Sequence, residues 1–230
     1  MLIRENLQHC RKEKKPPYMG WYGRWIFPYI EILVTRGLGR IRRRLLSRAR
    51  GRVVEIGAGS AQNMKYLTEN VDSYLATDPS PVMVRKAGQE IRRRPPGFGA
   101  KAVMAEAERM PVENQSADTV VSFLVLCSVH DPFAALAEVH RILRPGGSFL
   151  FFEHVLAPVA YTARWQNRIN PVWKRLACGC HLNRDTADYI EKSGFSFEEL
   201  LRYRSSKMGP AITSNVIEGS AGKNRATKAL

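Results

Sequence analysis

Two acidic residues at matched places in consecutive apolar segments are the first groups in this sequence able to do specific chemistry. Glu55 lies in Val53-Val54-Glu55-Ile56-Gly57-Ala58-Gly59-Ser60-Ala61, two residues ahead of a glycine pair. Glycines at 57 and 59 permit a tight turn and close approach of a ligand to the backbone. An acid just before such a turn can hydrogen-bond water or the cationic amino-acid end of a cofactor, while the turn's N–H groups serve a carboxylate. Asp78 closes the next apolar segment, 23 residues after Glu55. An acid there suits the two hydroxyls of a ribose, as acceptor to both. Asp78-Pro79-Ser80-Pro81 is also turn chemistry in its own right. A dinucleotide fingerprint would need a third glycine at position 62, which is Gln62, and a nicotinamide cofactor is disfavoured.

Further along, Glu106 in Ala105-Glu106-Ala107-Glu108 offers a polar group beside backbone N–H groups that could read an adenine edge. The segment from Leu124 to Cys127 should line the same cleft. For proton transfer the first candidate base is His154, which sits beside Glu153 at the end of an apolar run. His130 and His181 follow it. Asn183 and Arg184 could orient a polar substrate, although Asn183 also reads as a helix cap. Trp165, Trp173 and Phe152 could wall an apolar acceptor pocket, or simply fill the core. Cys178, Cys180 and His181 could offer metal ligands, but a zinc site normally takes four spaced ligands and no second cluster accompanies them. They are assigned to packing or to an active-site wall, and no metal is expected.

The elements that must position these groups alternate. Strands are expected at 52–57, 73–77, 101–105, 118–126 and 148–155, with weaker ones at 197–203 and 211–217. Helices are expected at 62–70, 80–94, 132–143 and 186–193, the third ended by Pro145-Gly146-Gly147. Continuous apolar strands alternating with helices imply an α/β fold, a Rossmann-like, mostly parallel sheet with helices on both faces. Ligands in such sheets bind beyond the carboxyl ends of the strands, where the residues above fall.

The charge is uneven. Residues 1–52 hold 14 Lys and Arg against three acids, so most of the net +15 sits in the first quarter of the chain. A nucleic-acid binder would carry basic charge along its working face as well, and that class is disfavoured. Residues 1–50 are read as a basic arm with covering helices, 51–218 as the catalytic domain and 219–230 as a loose tail. The apolar positions Ile30, Leu33, Val34, Leu38, Ile41, Leu45 and Leu46 either cover the domain or touch an anionic membrane surface. No stretch reaches the ~20 apolar residues of a membrane span. Four cysteines give no disulfide framework and suit reduced thiols in an intracellular, cytoplasmic protein.

Four ordered segments, VVEIGAGSA (53–61), ATDPSPVMVRKA (76–87), AEAERMPVENQSADTVVS (105–122) and LRPGGSFLFFEH (143–154), together resemble the class I S-adenosylmethionine-dependent methyltransferases. The resemblance is especially to the branch typified by the ubiquinone and menaquinone biosynthesis methyltransferases. LVLCSV (124–129), FFEHV (151–155), RWQNRINPVW (164–173) and GCHLNRDT (179–186) are similar to the small alkyl-thiol methyltransferases. The third family glycine is Ala61 here, and a basic arm stands where the mammalian members carry an apolar anchor.

The resemblance implies S-adenosyl-L-methionine as cofactor. Glu55, Gly57 and Gly59 would hold its methionine end, Asp78 its ribose, Glu106 and Ala107 its adenine, and Leu124 to Cys127 its wall. The acceptor would be a small lipophilic molecule, an alkyl thiol first, with a quinone precursor or phospholipid as the alternative. A reading of another class, a non-catalytic cofactor-binding or RNA-associated protein, would use the arm Arg11-Lys12-Glu13-Lys14-Lys15 and the run Arg40 to Arg52 for phosphates.

Overall fold

Val120 and Val121 are adjacent in one strand, project to opposite faces, and are both fully buried. That requires a sheet covered on both sides, and the chain supplies one. The computed structural model describes residues 35–93 and 99–223. Residues 1–34 of the expected arm and covering helices, Cys10 among them, and the last residues of the expected tail lie outside the described residues.

In chain order the elements are α1 (Gly39–Leu46), β1 (Gly51–Ile56), a 3-10 turn (Gln62–Tyr66), β2 (Val71–Asp78), α2 (Pro81–Arg92), β3 (Gly99–Met104), β4 (Ala117–Phe123), α3 (Pro132–Ile142), β5 (Leu143–His154), α4 (Ala160–Leu176), α5 (Thr186–Lys192), β6 (Phe195–Arg204) and β7 (Asn215–Lys223). The strand order is β3-β2-β1-β4-β5-β7-β6. The first five strands pair in parallel and β7 runs antiparallel to both β5 and β6. The order reverses between β1 and β4, so the cleft for a ligand opens beyond their carboxyl ends.

Period-two alternation splits the core. Ile56, Val120, Leu136, Val139, Phe149, Phe151, Phe195 and Ile217 pack on one face. Leu38, Leu45, Leu46, Val53, Tyr74, Val121, Phe123, Leu150 and Phe152 pack on the other. Phe152 is therefore core, stacked on Phe123 at 4.8 Å, and not a wall of an acceptor pocket.

Three departures from the sequence expectations have physical causes. β7 continues to Lys223, with Gly219 to Ala221 buried against β5 and β6, so the loose tail does not begin at 219. The stretch 62–70 forms only a 3-10 turn, entered through Ala61 at φ 57°. The helix Ala160–Leu176 is not expected from the sequence because Pro171, which forfeits one helical hydrogen bond, lies inside it. Three arginines in and just after α1 are committed to the protein. Arg44 grips Glu218 of β7 through Nε at 2.8 Å and Nη2 at 2.5 Å, and Arg48 pairs with Glu199 and donates to Ser220 at 2.6 Å. Arg42 donates to the Thr35 carbonyl and lies 5.0 Å from the Phe123 ring centroid. This removes three of the charges that a phosphate-binding reading would need.

Candidate active site

The turn after β1 is bent by positive φ at Gly57, Gly59 and Ala61. At Gly57 a Cβ would lie 2.7 Å from a Val125 methyl, so this glycine lets the first loop pack on the loop after β4. Asp78 ties the first two loops together: its carboxylate accepts the Gly59 N–H at 2.9 Å and the Ser80 N–H at 2.8 Å. Each oxygen keeps capacity for a further donor.

Glu55 is buried below the turn and accepts from Asn63 Nδ2 at 2.6 Å and from the Tyr74 hydroxyl at 2.5 Å. It anchors the turn first, and would meet a cofactor's ammonium group only with its remaining lone pairs. Burial pushes Glu55 up to about 7 despite these two donors, and burial likewise pushes Asp78 up to about 6. Two desolvated carboxylates held this close to neutrality fit a ligand that brings hydroxyl donors and positive charge. Glu106 is exposed at the rim and bridged to Arg109, while Ala107 beside it is buried. A groove lined by Ser60, Lys65, Lys86, Glu90 and Arg93 contains none of these three acids.

The loop after β4 is the other half of the site. Leu124 takes φ 62° and donates its N–H to the Phe152 carbonyl at 2.7 Å. Glu153, fully buried on β5, gathers this loop: it accepts from Ser122 Oγ at 2.6 Å, Val125 N at 3.0 Å and Cys127 N at 3.2 Å. Burial raises the Glu153 carboxyl above its ordinary range. Arg184 clamps the same loop through the carbonyls of Leu126 at 2.6 Å and Val129 at 2.8 Å. Arg184 is thus buried structural clamping, not a substrate-orienting group. Asn183 donates to Asn167, and the cap of α5 is Asp185.

Of the three histidines, the fold brings only His154 into a buried cluster at the strand ends. His154 ends β5, with Nδ1 3.6 Å from Cys180 Sγ, and Cys180 Sγ is 3.6 Å from Cys127 Sγ. His154 Nε2 is buried and has no hydrogen-bond partner among the described residues. Sharing a hydrogen bond raises Cys127 far above the usual thiol range and lowers Cys180, so the pair favours one thiolate over two. His130 is exposed. His181 contacts Asn170 at 3.4 Å, and burial with the nearby Arg184 and Lys174 charges lowers it to about 4. Cys178 and His181 do not join the sulfur cluster; Cys127, from another segment, does.

Glu153 is the functional residue that sequence reasoning underrated, naming it only as the neighbour of His154. An acid inside the otherwise apolar run Phe149 to Val155 was the available signal, because a buried carboxylate must be hydrogen-bonded.

A parallel sheet with a reversal at β1/β4, a glycine turn and an acid closing β2 define a class of enzyme, and comparison with known proteins agrees. Residues 54–151 match the methyltransferase domain family. The chain is 35% identical to thiol S-methyltransferase TMT1B of Rattus norvegicus over 64% of its own length and 61% of the relative's. It is 32% identical to thiol S-methyltransferase TMT1B of Homo sapiens over 74% of its own length and 75% of the relative's. A solved geranyl diphosphate methyltransferase, in complex with S-adenosylmethionine, superposes with TM-score 0.66 at 13% identity, covering 81% of this chain and 84% of that one. The fold is that of the class I S-adenosylmethionine-dependent methyltransferases. Within that class, the chain belongs to the family of the thiol S-methyltransferases.

Proposed function

We propose that this methyltransferase uses S-adenosyl-L-methionine to methylate the sulfur of a small lipophilic thiol. The observation that carries the reading is the buried Cys127–His154–Cys180 cluster at the carboxyl ends of β4 and β5, a sulfur-compatible site beside the switch point. The similarity to the rat and human thiol S-methyltransferases supports it.

The cofactor supplies an electrophilic methyl group on a sulfonium. Asp78 would accept its ribose hydroxyls, Glu55 its ammonium end, and Glu106 and Ala107 would border its adenine. Leu124 to Cys127 would form the wall facing the acceptor. In-line transfer needs the acceptor aligned in a dry pocket, and the clamps from Glu153 and Arg184 hold that wall rigid. Of the candidate bases, His154 takes the thiol proton, because His181 is held neutral and weakly basic and His130 faces solvent. The free thiols suit a reducing, cytoplasmic setting.

A second reading, a quinone precursor or phospholipid as acceptor, draws on α4. Tyr161, Trp165, Val172 and Leu176 recur at helical spacing and are exposed, with Arg164, Arg168 and Arg175 beside them. Such a face suits contact with anionic lipid. Among the described residues no helix is long and apolar enough to cross a membrane.

The deciding experiment is S-adenosylhomocysteine release with a short alkyl thiol and its alcohol analogue as paired acceptors. Release with the thiol alone is expected. Silence with both, alongside turnover of a quinone precursor or phospholipid presented in vesicles, would replace the thiol with the second reading.

A further inference from the structure

Cys127, His154 and Cys180 come from three separate segments: the loop after β4, the end of β5 and the loop after α4. All three are buried, and one ligand atom from each lies within 4.8 Å of the others. A tetrahedral zinc ion with Zn–S of about 2.3 Å and Zn–N of about 2.0–2.1 Å places two sulfurs about 3.8 Å apart and sulfur and nitrogen about 3.6 Å apart. Two of the three edges, 3.6 Å for sulfur to sulfur and 3.6 Å for Cys180 Sγ to His154 Nδ1, fit those values, and the third, Cys127 Sγ to His154, lies within 4.8 Å.

The surroundings hold the donors in place. The Cys127 backbone is fixed from both sides, its N–H on Glu153 and its carbonyl accepting from His181 N at 2.7 Å. The His154 carbonyl accepts from Thr186 Oγ1 at 3.4 Å, and β7 pairs with the same residue. These contacts fix the backbone, and so the Cβ positions, of two of the three donors. Among the described residues no fourth His, Cys, Asp or Glu joins the group. Three protein ligands with one vacant corner is the arrangement of catalytic rather than structural zinc. A donor set of two sulfurs and one imidazole selects thiophilic and borderline ions.

We propose that Cys127, His154 and Cys180 bind a single zinc ion whose fourth position takes the sulfur of the acceptor thiol. The inference rests on the thiol reading above and revises one role in it: with the ion bound, His154 is a ligand and not the base. The acceptor's S–H bond breaks as its sulfur binds zinc, and the proton passes to water. A coordinated thiol is held as thiolate at neutral pH. Its lone pair then forms the new C–S bond while the sulfonium C–S bond breaks, that electron pair staying on the cofactor's sulfur. The methylated product is a neutral thioether, a poorer zinc donor than a thiolate, and it leaves.

The test uses the full chain, purified under reductant and supplied with zinc alone, then dialysed. About one equivalent of zinc per chain is expected by elemental analysis, as a three-ligand site implies. Cys180→Ser should lose it while still binding S-adenosylhomocysteine, which certifies its fold, and Cys127→Ser should lose it while keeping the circular dichroism of the parent. Cobalt(II) in the unsubstituted protein gives a readout independent of any variant. It should produce the strong visible bands of a tetrahedral site and a sulfur-to-cobalt charge-transfer band that intensifies when a short alkyl thiol is added, but not its alcohol analogue.

Substoichiometric zinc in the reduced protein, or a Cys127–Cys180 disulfide in its place, overturns the proposal. So does full thiol turnover by chelator-treated, metal-free enzyme, which would leave the thiol reading intact. Stoichiometric zinc with no thiol methylated would instead defeat the thiol reading, and with it the assignment of the fourth position.

Discussion

The two halves of the cleft are built on different principles. On the β1–β2 side, specificity comes from backbone and carboxylates: positive φ at Gly57 and Gly59, and Asp78 joining two loops through N–H groups. On the β4–β5 side it comes from side chains that meet only in three dimensions, two thiols and an imidazole gathered by Glu153 and Arg184. On the proposed reading the first half takes the cofactor and the second the acceptor. This division separates the expected effects of substitution.

The largest effect should fall on chemistry. His154→Ala should lower kcat by about 10²-fold or more while S-adenosylhomocysteine affinity stays within about twofold. Parallel losses in kcat and cofactor affinity, read by steady-state kinetics and calorimetry, would show that the halves are not separable. Next, Asp78→Ala should weaken cofactor binding by roughly 100-fold, the worth of two hydrogen bonds to a charged group. Circular dichroism should report an intact domain, and equal titration of mutant and parent would remove Asp78 from the site.

The pH response should belong to the cofactor half. Glu55 and Asp78 are both raised, to about 7 and about 6, so between about pH 4 and 7 the folded chain holds protons that the unfolded chain has released. Stability of the free protein therefore falls as pH rises through that window. Cofactor affinity moves the other way, strengthening by up to about 100-fold per pH unit below about pH 6, where both acids must lose a proton, by up to about tenfold between 6 and 7, and levelling above 7. Asp78→Asn should flatten the lower part of that profile in a calorimetric pH series. The smallest effect should be on α4. Replacing Trp165 and Leu176 with Ser should change folding stability by no more than about 0.5 kcal/mol, because both are exposed. Any sedimentation with anionic vesicles should fall with the same change, and unaltered pelleting would free this face of a lipid role.

The same contrast explains what could be read from the amino acids alone. Glu55, Gly57 and Gly59 lie within five residues and Asp78 closes the neighbouring strand, so pattern and spacing expose them together. The parallel sheet was legible for a similar reason, since buried strands leave continuous apolar runs. Cys127 and Cys180 are 53 residues apart and meet only because β4, β5 and the loop after α4 converge, so the nearer trio of Cys178, Cys180 and His181 drew attention instead. Arg184 looked like a substrate group because its two carbonyl partners are more than 50 residues earlier. The helix with Pro171 and the full reach of β7 were hidden by weak local signals, one a helix breaker and the other the glycine pair at 219 and 222.

β7 pairs Val216 with His154 and Ile217 with Glu153, so the strand bearing the site obtains its second neighbour from the last strand of the sheet. During synthesis domains assemble from the amino end. Here the nascent sheet must wait with β5 as a bare edge, although every residue of the cofactor loops has long since emerged. A transcript cut short before residue 215 would yield a chain with both acids and all three cluster residues, yet with no finished strand to hold His154. The strand that completes the His154 edge is therefore made after every residue of the candidate site.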